Sequence, residues 1–205
     1  MLNSHPNVLI QDEIFSRLES KNWREIYDRW HAPKAFFIKA SGFKIFYYHP
    51  MDADGTDLWR TLTGDEDLKV LHLKRRNRLE TELSQRLATI TGKWLQKAGE
   101  KTGETPRVAI DPQKLQEAFE RTDAHELEFE QKFGAHAVHE IYYEDLIADP
   151  HGQFLKVCDF LGVRRRSPKS NLVKQRRTPV SELIENFDAL KAYFHGSRWA
   201  HFFKL

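Results

Sequence analysis

Leu68–Ser84 reads LKVLHLKRRNRLETELS. It opens with apolar residues at Val70, Leu71 and Leu73, a pattern that fits a buried strand. A basic turn follows, Lys74-Arg75-Arg76-Asn77-Arg78, and the remainder carries helical periodicity. Arg76 then stands at the end of a strand, with Ser84 eight positions on in the second turn of a helix. Such a pair can converge on one point. The arginine offers a planar fork of N–H donors and the serine one hydroxyl, which together suit a phosphate monoester. The alternative is a solvated basic turn ahead of an ordinary amphipathic helix.

Outward from this stretch, strand-like and helix-like segments alternate. Asn7–Gln11 reads as a short buried strand and Ile14–Trp30 as a helix. Phe43–Tyr48 (FKIFYY) is rich in aromatic and branched residues and reads as a second strand, with Leu68–Leu73 as the third. Leu79–Trp94 is expected to be a helix closed by Gly92, and Ala98–Pro106 a polar loop. Pro112–Phe133 is a long amphipathic helix, Val138–Tyr143 a fourth strand, and Gly152–Leu161 a helix ended by Gly162. Pro179–Phe194 reads as the last full helix, with Ser181 as its cap, ahead of a docked tail at Trp199, Phe202 and Phe203. The alternation implies an α/β domain, three layers around a central parallel sheet, spanning residues 1–205 as one domain. Ligands on such sheets bind beyond the carboxyl ends of the strands. That rule places Arg76 at a ligand-binding edge, together with Asp12, Glu13 and the segment Tyr47–His49.

Composition narrows the function. A net charge of +2 argues against a purely electrostatic nucleic-acid binder. The charge is uneven, however: Lys74–Arg78, Arg164–Arg166 and Lys174–Arg177 are basic clusters suited to one polyanionic ligand. They contain no aromatic residues, so a basic nucleic-acid-binding module ranks last. The single cysteine, Cys158, excludes a disulfide framework and fits a buried apolar position in a cytoplasmic protein. No run approaches the ~20 apolar residues of a membrane span. His136 and His139 share a spacing but have no third ligand nearby, so no metal site is expected.

Further stretches resemble the PAPS-dependent sulfotransferases, specifically bacterial carbohydrate enzymes of the trehalose-sulfotransferase and nodulation-factor-sulfotransferase type. Arg76, Asn77 and Ser84 match that family's 3′-phosphate pattern, R-N-x-x-x-x-x-x-S after a central strand. SHPNVLIQDEIF at 4–15 and GFKIFYYHP at 42–50 resemble its early segments. VHEIYYEDLIADPHGQFLKVCDFLGV at 138–163 and LVKQRRTPVSELIENFDALKAYFHGSRWAHFF at 172–203 resemble its later blocks. The resemblance covers nearly the whole chain. It implies a P-loop nucleotide-hydrolase-like sulfotransferase fold that moves a sulfuryl group from PAPS (3′-phosphoadenylyl sulfate) to a hydroxyl of a carbohydrate or glycolipid, without a metal.

The resemblance also implies residue roles. Glu13 is the expected general base and Lys44 the expected stabiliser of the leaving group. Arg76 and Ser84 are expected to hold the 3′-phosphate, and Lys174 and Gln175 to touch the donor or acceptor. Asp145 is read as structural, and Trp94 as the tryptophan to consider for sugar stacking. The family's phosphosulfate loop, approximately R-S-G-[ST]-[ST], has no counterpart here. The expected reading is a fold lacking its first strand, loop and helix. That would leave unpaired strand edges and predicts self-association into a homo-oligomer, a segment that fills the gap, or poor solubility. It also implies weak or absent turnover by these residues alone. The alternative function is a non-catalytic nucleotide- or anion-binding remnant of the fold.

Overall fold

The computed structural model describes residues 1–94, 105–169 and 178–204. Strand β1 (Val8–Gln11) pairs in parallel with β2 (Ala40–Phe43), in the register Val8 to Ala40 through Gln11 to Phe43. Strand β3 (Lys69–Lys74) pairs with β4 (Ala137–Tyr142). The helices are α1 (Trp23–His31), α2 (Thr56–Gly64), α3 (Arg78–Thr91), α4 (Pro112–Lys132), α5 (Tyr143–Ala148), α6 (Pro150–Leu161), α7 (Val180–Leu183) and α8 (Phe187–Tyr193). The architecture is mixed α/β with parallel strands, as the alternation implies. The strands form two separate pairs rather than one sheet, and among the described residues none bridges them.

The described residues group into two compact units. One comprises Met1–Leu73, Glu128–Ile141 and Ala148–Ser170; the other comprises Lys74–Leu127, Tyr142–Ile147 and Asn171–Leu205. In the first, Val8 of β1 packs with Phe154 and Cys158 of α6 and with Val163. Cys158 is buried, as its apolar context predicts. A second cluster joins Phe15 and Leu18 to Leu58 and Leu62 of α2. In the other unit, Leu79, Leu83 and Leu87 line one face of α3. They meet Leu115 and Phe119 of α4, Leu190 of α8, and the tail residues Trp199, Phe202 and Phe203. The tail is docked, its last turn a 3-10 helix at Ala200–Phe203.

Where periodicity and caps agree, elements form where expected. Asn77 caps α3 by accepting from the Glu80 N–H, and Gly92 ends it at φ 68°, a left-handed angle that glycine adopts without steric cost. Asp149 caps α6 from the Gly152 N–H, and Gly162 closes it.

Three segments differ from expectation. Ile14–Trp30 is helical only from Trp23. Asp52 accepts the Leu18 and Glu19 N–H groups at 2.8 and 2.9 Å, and Glu19 and Ser20 sit at positive φ, so the backbone cannot continue as a helix there. In FKIFYY only Phe43 belongs to a strand. The last ladder bond runs from Lys44 N–H to the Gln11 carbonyl at 3.0 Å, and the chain then turns, with His49 N–H donating to the Phe46 carbonyl. The helix expected over Pro179–Phe194 breaks into α7 and α8, because Ile184 bridges to Val108 and Glu185 N–H donates to the Val108 carbonyl. Ser181 lies inside α7, and the cap position belongs to Pro179.

Candidate functional site

Glu13 and Lys44 are brought together. β1 and β2 lie side by side and in parallel, so the residues just beyond their carboxyl ends are neighbours. Glu13 Oε1 accepts from Lys44 Nζ at 2.6 Å, and both side chains are partly exposed. His49 stands behind them. Its ring is 1% exposed, and Nε2 lies 3.9 Å from Glu13 Oε2. Nδ1 accepts from the Phe46 N–H at 3.3 Å, so the neutral ring carries its proton on Nε2, a buried atom without a hydrogen-bond partner. Burial lowers the His49 pKa below its ordinary value. The Glu13 carboxylate opposes that shift and the Lys44 ammonium adds to it.

Arg76 lies just past the end of β3. Its guanidinium is held by Asp145 through two bonds of 2.7 and 2.8 Å and stacks over Tyr142 at 4.2 Å. Its backbone N–H donates to Glu144. Asp145 holds the guanidinium pKa above its ordinary value. Asp145 is thus the partner that fixes the Arg76 guanidinium. These bonds join the segments that follow β3 and β4, so the two strands end side by side.

Arg75, not Arg76, reaches the Ser84 hydroxyl, at 3.4 Å, and it also pairs with Glu80 at 2.5 Å. Arg75 was the missed member of this group. The basic run displays it, and its guanidinium lies against Glu80 and Ser84 of α3. Asn77 also donates to the Phe202 carbonyl at 3.2 Å.

A cavity of about 340 Å³ opens here, lined by Lys74, Arg75, Arg76, Arg78, Asp123, Glu126, Tyr142, Arg198, Trp199, His201 and Phe202. Five basic side chains face two carboxylates among those residues, and the walls are aromatic. Arg78 pairs with Asp123 and Glu126, and Arg198 with Asp123 at 2.7 Å. A basic cavity with aromatic walls at the end of a strand suits a nucleotide carrying phosphate.

Residues 66–168 match a family model described as the sulfotransferase family. The chain belongs to the sulfotransferase family. Its enzymology is therefore sulfuryl transfer. The match contains β3, Arg76, Ser84 and β4, and so includes the strand-end arginine group. The chain is also similar to Nodulation protein H of Rhizobium meliloti, 27% identical over 219 residues covering 100% of this chain and 88% of that protein. Nodulation protein H of Rhizobium tropici is 27% identical over 224 residues, covering 100% of this chain and 86% of that protein.

Sulfuryl transfer asks a protein for in-line positioning, a base for the acceptor hydroxyl, and cations facing the leaving phosphate. The described residues of this sulfotransferase hold a carboxylate–ammonium pair beyond β1 and β2, and an arginine group beyond β3. Lys174 and Gln175 lie outside the described residues. Trp94 is exposed. No group of metal-ligating side chains occurs among the described residues, and none of their helices is long and apolar enough to cross a membrane.

Proposed function

We propose that this sulfotransferase takes its sulfuryl group from PAPS and delivers it to a hydroxyl of a saccharide or glycolipid. The observation that carries the donor assignment is Arg76 at the end of β3, inside the family match, on the wall of a basic cavity. Arg76, oriented by Asp145, offers to the 3′-phosphate the N–H groups that Asp145 leaves over. Arg75 adds a second cation and orients the Ser84 hydroxyl, and Lys174 and Gln175, outside the described residues, are assigned to the donor or the acceptor on the family resemblance alone. The carbohydrate acceptor is supported by the resemblance of residues 4–15, 42–50, 138–163 and 172–203 to the bacterial carbohydrate enzymes.

Glu13 acts as the general base, taking the proton of the acceptor hydroxyl as its oxygen attacks sulfur. Lys44 neutralises charge that develops on the leaving phosphate. The 2.6 Å pair between them supports both roles, since one ammonium can orient the carboxylate before reaction and face the leaving oxygen during it.

The fold is proposed to be the three-layer, P-loop-like sulfotransferase fold. β1–β2 and β3–β4 would be two parts of one parallel sheet, with the strand that carries the phosphosulfate loop absent from the described residues. The separation of the two pairs supports this. The chain passes repeatedly between the two compact units, which supports treating residues 1–205 as one domain. A cytoplasmic setting fits the lone buried thiol.

In a form of the protein that turns over PAPS, Glu13→Gln is expected to lower turnover by roughly 10²–10⁴-fold. Affinity for adenosine 3′,5′-bisphosphate should be unchanged. Unaltered turnover would return Glu13 to a structural acid paired with Lys44.

A further inference from the structure

A second cavity, of about 520 Å³, lies in the unit that contains Glu13, and His49 is part of its wall. All of its lining residues except Lys132 precede residue 66, where the family match begins. This cavity is therefore built from sequence the general family pattern does not cover, which is where selection among acceptors belongs.

Two aromatic rings are held in place at its wall. Trp59 donates its indole N–H to the His49 carbonyl at 2.7 Å and packs edge-on to Phe133. Tyr48 is 53% exposed and stacks on Phe46, with ring centroids 5.4 Å apart and planes 6° from parallel. Fixed rings lose little freedom when a ligand stacks on them. Thr56 donates both its N–H and its hydroxyl to Asp54 Oδ1, at 2.9 and 2.6 Å, which leaves Oδ2 to accept from a ligand hydroxyl. Those bonds lower the Asp54 pKa, so the acceptor is ionised at neutral pH.

Charge decides the ligand class. Arg60 is held by Asp57 at 2.6 Å and Lys132 by Glu128 at 2.5 Å. Asp54 is an acidic group on the wall. An anionic ligand would meet offset cations and a carboxylate, whereas a neutral ligand with hydroxyls and apolar ring faces meets complementary surfaces. The cavity is also one imidazole ring from Glu13, because His49 lines it and places Nε2 3.9 Å from Glu13 Oε2.

We propose that this cavity is the acceptor site, taking a neutral pyranose saccharide that stacks on Trp59 and Tyr48 and gives a hydroxyl hydrogen bond to Asp54. The assignment rests on the reading of Glu13 as the general base.

The test titrates the whole chain with trehalose, cellobiose and chitobiose, reading saturation-transfer NMR and tryptophan fluorescence. Adenosine 3′,5′-bisphosphate is titrated in parallel by calorimetry. At least one saccharide should bind saturably. Tyr48→Ala should weaken it about tenfold and Asp54→Asn severalfold, with bisphosphate affinity unaltered. Both substituted side chains are exposed, so the variants should fold. Equal saccharide affinity in both variants, or no saccharide binding by wild type, would overturn the assignment. Loss of bisphosphate binding by wild type would overturn the donor reading instead, and the saccharide arms would still be scored on their own.

Discussion

His49 shows how a single buried ring ties this site to pH. Burial depresses its pKa below the ordinary 6.5, with Glu13 opposing and Lys44 reinforcing. Between the depressed folded value and 6.5 the unfolded chain binds more protons than the folded one. The stability tied to the neutral ring is therefore full above about 6.5 and is lost as pH falls through the folded value. Urea unfolding midpoints measured from about pH 7.5 down to about pH 5.5 should fall in wild type, with a shallower fall in His49→Gln. Identical slopes would mean that the ring is solvated rather than buried. Part of this site is legible in the sequence. Glu13 follows an expected strand, and the rule that ligands gather at strand ends picks it out together with Tyr47–His49. Lys44 reads as lying within the strand Phe43–Tyr48, and only the early end of β2 at Phe43 puts it beside Glu13. What the sequence hides is the role of each atom. The Phe46–His49 turn sets the tautomer, and Arg75 rather than Arg76 reaches Ser84.

Elements that carry their own start and stop signals were readable, and α3 is the clearest case. Asn77 accepts from the Glu80 N–H and donates to the Phe202 carbonyl, so it caps the helix and ties down the tail. Asn77→Ala should cost about 1 kcal/mol. For a chain of this size that corresponds to roughly 2–4 °C in Tm by calorimetry. An unchanged Tm would show that the tail and α3 hold without this side chain. The unreadable elements are those decided by distant partners. Asp52 takes the N–H groups that an expected helix needed around Leu18, and Val108 captures Ile184 between α7 and α8. No local pattern signals either bond. Helix α2, which carries Trp59, lies outside the elements expected from the sequence.

At the scale of the whole molecule, the arrangement of the strands is the main departure from a single sheet. The parallel β1–β2 pair and the β3–β4 pair, with no strand bridging them among the described residues, present sheet edges, a surface that pairs readily with another strand. The chain is therefore expected to self-associate, or to be stabilised by a peptide that supplies the bridging strand. Light scattering across a concentration series checks this, and a concentration-independent monomer would count against it. Fold class was legible because alternating strands and helices admit few architectures. The split of the sheet was not, because it depends on which strand lies between the pairs.

The central claim is that the donor's nucleotide is held by the arginine at the end of β3. Calorimetric titration of wild type, Arg76→Ala, Ser84→Ala and Glu13→Gln with adenosine 3′,5′-bisphosphate tests it most directly. A charge-assisted contact to phosphate contributes on the order of 1.5–3 kcal/mol, so Arg76→Ala should weaken binding roughly tenfold or more. Ser84→Ala should weaken it less, and Glu13→Gln should leave it unchanged. Equal affinity in wild type and Arg76→Ala would contradict the account.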